Sequence, residues 1–165
     1  MNAPQAGDAA RDPFDDGRAL QDRLPVHCFG CGTLNANGLH IKSRWEGEVF
    51  VCVWQPAPQH IGFPGVVYGG TIASVVDCHA VWAALSMHCR SEGHDLSSGS
   101  PPFGVVTGSL LVNYLKPASV ALPLELRATI VAHGERKSVV ACTVRQGSVT
   151  CATAEVVTVR VKVEA

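Results

Sequence analysis

One apolar segment limits the folds that this chain can adopt. Between Gly69 and about Cys89 the sequence has no proline and, after Gly70, no further glycine, and its apolar residues fall on nearly every helical face. About 18 residues at 1.5 Å each predict a helix near 27 Å long. A helix that is apolar all round has to be enclosed by other elements, so the segment predicts one central, buried helix.

The segments before and after this helix predict β-strands. Residues 38–44 and 47–54, joined at Glu46-Gly47, predict a hairpin. After a polar loop, alternating apolar and polar residues predict four more strands within residues 105–115, 122–132, 138–146 and 149–163. The order β-β-α-β-β-β-β indicates the α+β class, with a long antiparallel sheet wrapped around one helix.

Length and charge exclude several classes of partner. A chain of 165 residues fits one domain, and its net charge of −1 argues against binding to nucleic acid. No uninterrupted apolar run reaches the ~20 residues that span a bilayer, so no membrane association is expected. Residues 1–25 are polar and acidic and lack the features of a secretory signal. They predict a mobile N-terminal arm before a single domain at 26–165.

The cysteines indicate a reducing compartment. The chain has seven cysteines, an odd number, and they are scattered. A disulfide framework is therefore not expected, and a cytoplasmic location is predicted. Cys28 and Cys31 form a Cys-x-x-Cys pair beside His27. Structural zinc requires four ligands, and no second pair follows at zinc-finger spacing. The pair therefore predicts a compact turn, and no metal site is expected.

The start of the helix carries groups suited to chemistry on a carbonyl. Gly69 and Gly70 allow a ligand to approach the backbone, and the first N–H groups of a helix have no intrahelical partner. The N–H of Gly70 is thus a candidate donor to a developing oxyanion. Asp77 follows about 10 Å further along the helix axis. Its carboxylate suits either a general base for water or a nucleophile, and the sequence leaves both routes open.

Three stretches resemble the hotdog-fold thioesterases, in particular the PaaI-like group of phenylacetate-pathway acyl-CoA thioesterases. They are "CFGCGTLNANGLHIK" at 28–42, "HIGFPGVVYGGTIASVVD" at 60–77 and "VTGSLLVNYLKPA" at 106–118. Two positions depart from the family pattern. Tyr68 stands where the signature has a histidine, and Gly62 stands where several members have an asparagine that helps to bind the thioester carbonyl.

The resemblance implies hydrolysis of an acyl- or aroyl-CoA to a free acid and coenzyme A, with no cofactor beyond the coenzyme A of the substrate. It implies a homodimer, or a tetramer built as a dimer of dimers, in which Gly70 of one chain faces Asp77 of the other. Thr107 would position Asp77 or the water. His60, also assigned to the catalytic set, would either orient the turn before the helix or touch the substrate. The predicted substrate contacts are Tyr68, Gly69, Asn113, Tyr114, Lys116, Arg136 and Lys137.

Two other functions fit the same residues. Tyr68 and Gly62 favour a non-catalytic acyl-CoA binder or sensor on the same scaffold. His60 and Asp77 also match the loop histidine and helical acid of a hotdog hydratase or dehydratase. The identity of the acyl group is left open, as is the choice between dimer and tetramer.

Overall fold

A single long helix, α1 (Gly69–Glu92), confirms the predicted central helix. The structure is a computed structural model that describes residues 12–163. The middle of α1 is enclosed, and Val75, Val76, Ala80, Ala83 and Ala84 have no solvent exposure. The helix extends three residues beyond the predicted end, because no glycine or proline interrupts it before position 93.

Helix α1 also corrects the expectation about membrane-spanning segments. It is long enough and apolar enough to cross a membrane, with a mean hydropathy of 1.3 over its most apolar 18 residues. The uninterrupted apolar run stops at Asp77, whereas an averaged hydropathy tolerates one acid. In the fold, 61% of that window is buried inside the protein, so the helix serves as a core element.

The strands confirm the α+β hotdog architecture. Six of them form one antiparallel sheet in the order β1-β2-β6-β7-β8-β5, and β3 and β4 pair separately. The bounds are β1 (Ser43–Glu46), β2 (Val49–Trp54), β3 (Ile61–Phe63), β4 (Val66–Val67), β5 (Phe103–Tyr114), β6 (Leu124–His133), β7 (Lys137–Gln146) and β8 (Val149–Lys162). All four strands predicted after the helix are present. The β3–β4 pair was not predicted, since two or three residues give no readable alternation.

The first predicted hairpin differs in two details. Strand β1 begins at Ser43, five residues later than predicted. Leu39 and Ile41 are buried without belonging to a strand, because their N–H groups donate to the Phe29 and Gly30 carbonyls of a neighbouring loop, at 2.7 and 3.1 Å. The turn is Gly47-Glu48, one residue later than predicted, since Glu46 pairs with Val49.

Part of the predicted N-terminal arm packs against the fold. Phe14, Leu20 and Leu24 are buried in the core, and residues 20–22 form a short 3-10 helix. Residues 1–11 lie outside the described residues. The division of the chain into an arm and a domain at residue 25 stays a prediction, although the segment 12–25 contributes three side chains to the core.

Strand β5 connects the sheet to both ends of α1. It lies at one edge of the six-stranded sheet, paired only with β8 among the described strands. The ring of Phe103, at the start of β5, lies 6.0 Å from that of His88 near the end of the helix. Tyr114, at the end of β5, reaches Gly69 at the start of the helix. Strand and helix therefore run in opposite directions, side by side.

Candidate active site

Asp77 and Thr107 are in direct contact, and the catalytic roles that the resemblance implies for them stay predictions. Asp77 is half-buried on α1, and the Thr107 hydroxyl on β5 donates a hydrogen bond to its Oδ1 atom. Strand β5 has a register shift between Thr107 and Ser109, where Gly108 forms a bulge. A bulge redirects the side chains next to it, here including Thr107. Within residues 12–163 the second carboxylate oxygen of Asp77 accepts no hydrogen bond, so it can accept one from a water or a substrate.

The start of α1 presents bare backbone. The first intrahelical bonds are donated by the N–H groups of Thr71 and Ile72 to the Tyr68 carbonyl, at 3.0 and 3.2 Å. The N–H groups of Gly69 and Gly70 precede them and have no intrahelical acceptor. A Cβ atom built on Gly70 would lie 2.4 Å from Cε1 of Tyr68, so a larger residue at position 70 would require this ring to move.

Two tyrosines flank the double glycine. The Tyr114 hydroxyl donates to the Gly69 carbonyl at 2.7 Å. Burial and the neighbouring Tyr68 raise the pKa of Tyr114, so its phenol stays protonated and remains a donor at neutral pH. Both side chains are largely exposed, Tyr68 by 59% and Tyr114 by 54%. The start of the helix is therefore flanked by two solvent-accessible aromatic rings.

His60 organises the loop that leads into the helix. Its Nδ1 atom accepts the Ala57 N–H at 2.9 Å, and its carbonyl accepts the Tyr68 N–H at 2.8 Å. Its ring packs against Trp54 with 5.1 Å between ring centroids. These contacts hold the loop in place, and a part for His60 in the reaction stays a prediction.

The two departures from the family pattern are neighbours in space. A Cβ atom on Gly62 would lie 3.1 Å from the Cα atom of Tyr68. An asparagine at position 62 would therefore need the backbone around residue 68 to move. Gly62 and Tyr68, the two residues that differ from the family pattern, therefore lie next to each other beside the start of the helix.

The predicted substrate contacts fall at opposite ends of the protomer. Asn113, Tyr114 and Lys116 are exposed where β5 ends, near the start of α1. Arg136 and Lys137 are exposed at the β6–β7 turn, and Arg136 lines an open cleft with Glu92 at the end of α1. The helix separates the two groups by roughly 30 Å. One protomer does not bring Arg136 and Lys137 together with Gly70.

One cluster was not foreseen in the sequence. Cys78 comes from α1 and lies against Cys28 and Cys31, with all three sulfur atoms within 4.8 Å of one another. Its two partners are about 50 positions away in the chain, so Cys-x-x-Cys spacing gave no reason to include it. The available signal was that Cys78 directly follows Asp77 on a buried helix.

The fold defines the class. One long helix packed against one large antiparallel sheet is the arrangement of a hotdog-fold protein. The family model described as the thioesterase superfamily matches residues 64–153, which contain both the double glycine and Asp77. The chain belongs to the thioesterase superfamily, and this confirms the predicted enzyme class.

Solved structures agree with this assignment. A thioesterase superfamily protein from Shewanella loihica PV-4 is 33% identical, with a TM-score of 0.62, over 84% of this chain and 96% of that one. The PaaI protein of the Escherichia coli phenylacetic acid degradation operon is 15% identical, with a TM-score of 0.60, over 77% and 82% of the two chains. A hypothetical thioesterase of Streptococcus pneumoniae TIGR4, solved with coenzyme A, is 14% identical, with a TM-score of 0.58, over 72% and 86%. A search of curated proteins gives no significant match.

Proposed function

We propose that the protein hydrolyses an acyl-CoA or aroyl-CoA thioester to the free acid and coenzyme A. The observation that carries the proposal is the hydrogen bond from Thr107 to Asp77, on the helix that begins with the bare N–H groups of Gly69-Gly70. A group that activates water and a donor that stabilises an oxyanion are the two parts that this reaction requires. The coenzyme A in the pneumococcal neighbour supports a CoA thioester as the substrate.

Two copies of the chain are needed to complete the site. Gly70 and Asp77 of one protomer are separated by about 10 Å along the helix axis, too far for one carbonyl group to contact both. Strand β5 is an edge strand of 12 residues, and Val106 and Leu111 on it are 47% and 60% exposed. Long apolar edges are normally covered. We infer a two-fold homodimer joined along β5.

This dimer also supports the predicted coenzyme A contacts. Two β5 strands related by a two-fold axis run antiparallel, so the start of one lies beside the end of the other. The β6–β7 turn of one protomer, with Arg136 and Lys137, then approaches the helix start of its partner. Basic side chains there suit the phosphates of coenzyme A, together with Lys116. A tetramer would be a dimer of such dimers.

The reaction follows from these positions. The thioester oxygen accepts a hydrogen bond from the Gly70 N–H, which stabilises negative charge on that oxygen as the carbonyl carbon is attacked. Asp77 of the partner subunit either takes a proton from the attacking water or attacks the carbonyl itself, forming an anhydride that water then hydrolyses. The bond to sulfur breaks in either route, and coenzyme A leaves. Thr107 holds the carboxylate in one orientation.

The test is thiol release from a panel of acyl-CoA and aroyl-CoA substrates. Asp77→Asn keeps the shape of the side chain and removes the base, so kcat should fall by roughly 10²–10⁴-fold. Glu48→Gln, an exposed acid in the β1–β2 turn, is the matched control and should retain full activity.

Two results would contradict the proposal. Acyl-CoA binding without turnover that depends on Asp77 would indicate the sensor. Loss of enoyl-CoA absorbance without thiol release would indicate the hydratase.

A further inference from the structure

Three cysteine thiols from two parts of the chain converge on one point. Cys28 and Cys31 lie in the loop before β1, and Cys78 lies on α1. The sulfur atoms of Cys28 and Cys78 are 3.4 Å apart, and all three sulfurs lie within 4.8 Å of one another. Thiolates bound to one zinc ion at ~2.3 Å are about 3.8 Å apart in tetrahedral geometry. The spacing of the three sulfurs therefore fits a single ion between them.

The loop that carries two of the thiols is held in shape by its own backbone. The Gly32 N–H donates to the Cys28 carbonyl at 2.8 Å, and the Leu34 N–H donates to the Val26 carbonyl at 3.1 Å. A Cβ atom on Gly30 would lie 2.3 Å from the Cys78 sulfur, so the glycine leaves the space that this sulfur fills. The cluster is thus a preformed arrangement rather than a chance meeting of flexible side chains.

The surroundings favour negative charge on the sulfurs. The indole N–H of Trp82 donates to the Cys31 sulfur at 3.1 Å, as a second layer of donors does around bound metals. A thiolate, rather than a thiol, is what binds a metal ion.

We propose that Cys28, Cys31 and Cys78 bind one zinc ion through three thiolates, with the fourth coordination position left to water. Cys28 is exposed, so solvent reaches that side of the cluster. Thiol protons still present are released to solvent when the ion binds. The site ties the loop before β1 to the helix that carries Asp77. It is independent of the thioesterase chemistry, because it uses none of the residues assigned to the reaction.

The experiment uses the full-length protein purified under reducing conditions and stripped of metal. Cobalt(II) reports thiolate ligands through an intense charge-transfer absorption, and zinc should displace it with one equivalent per chain. Cys78→Ser should weaken cobalt and zinc binding by at least ~100-fold, since even second-layer partners contribute 10–100-fold. The matched control is Cys151→Ser, a buried thiol outside the cluster, which should bind like the wild type.

A second readout counts the protected thiols. With zinc bound, the exposed Cys28 and the half-buried Cys78 should resist alkylation in the native protein relative to the metal-free form, whereas Cys31 is buried in both. If Cys78→Ser fails to fold, the exposed Cys28→Ser carries the same expectation. The proposal is overturned if wild-type protein gives no thiolate charge-transfer band, if Cys78→Ser or Cys28→Ser folds and binds as tightly as wild type, or if Cys28 and Cys78 form a disulfide that persists under reductant.

Discussion

Asp77 and His79 are two residues apart on α1 and meet opposite environments. Asp77 is half-buried, has one hydrogen bond from Thr107, and keeps an oxygen available. His79 has no exposure, and both ring nitrogens are paired, one with the Ser43 hydroxyl at 2.9 Å and one with the Phe50 carbonyl at 3.0 Å. Asp77 can therefore still accept a hydrogen bond from a ligand, whereas both ring nitrogens of His79 are occupied by groups of the protein.

The difference shows what separates a site from a core polar residue. Both side chains are ionisable, and both lie on an apolar helix, so residue type and position in the sequence do not distinguish them. The remaining hydrogen-bonding capacity does, because a group with no free donor or acceptor cannot act on a substrate. The candidate catalytic groups on α1 therefore lie between Gly69 and Asp77, whereas His79, two residues further on, has a structural role.

The largest effect expected from this comparison is on stability. His79→Ala should lower the free energy of unfolding by about 4 kcal/mol, since it leaves a cavity and two buried groups without partners. Asp77→Asn should change it by less than about 1 kcal/mol. Denaturant titration of both variants measures the two values. Equal losses would mean that Asp77 is as structural as its neighbour.

A somewhat smaller effect should appear on acidification. Burial lowers the pKa of His79 from an ordinary 6.5 to about 4, because the charged ring would be desolvated. Between these two pH values His79 is therefore protonated in the unfolded chain and neutral in the folded protein. Stability is retained above pH 6.5 and falls by about 3 kcal/mol between pH 6.5 and 4.

Unfolding free energies measured across that pH range provide the check. The difference between wild type and His79→Gln isolates the part due to this ring, since glutamine does not titrate. A pH profile identical in both proteins would remove His79 as the source.

The smallest effect concerns the orientation of Asp77. Thr107→Val keeps the shape of the side chain and removes the hydroxyl that donates to the carboxylate, so kcat should fall roughly tenfold, equivalent to about 1.4 kcal/mol. Thr107→Ser restores the donor and should recover most of the activity. Thiol release measures both variants. Failure of serine to rescue would assign Thr107 a packing role only.

The sequence was most informative where a pattern was long. The α1 segment and the four strands after it were predictable, because each has enough residues for its period to be read. Strands β3 and β4 are too short for that, and the burial of Leu39 and Ile41 imitates alternation although both lie in a loop. Asp77 was identified from its position on an apolar helix, whereas Thr107, 30 positions away, was identified only through resemblance to a family.

Other features of the site depend on tertiary packing, which local spacing does not encode. Cys78 joins Cys28 and Cys31 only because the loop before β1 folds back on α1. The buried partners of His79 come from β1 and β2, so its structural role was equally invisible. The separation of Arg136 from Lys116 likewise follows from which end of the sheet each turn occupies.

The helix that carries the acid is also the element around which the sheet is assembled. Eleven of the 24 residues of α1 are buried, so the helix cannot melt far without exposing the interior. Heating should therefore abolish activity in one cooperative step that coincides with global unfolding. Activity should not decline gradually while the protein is still folded, because the helix that carries the candidate site is also the central element of the fold.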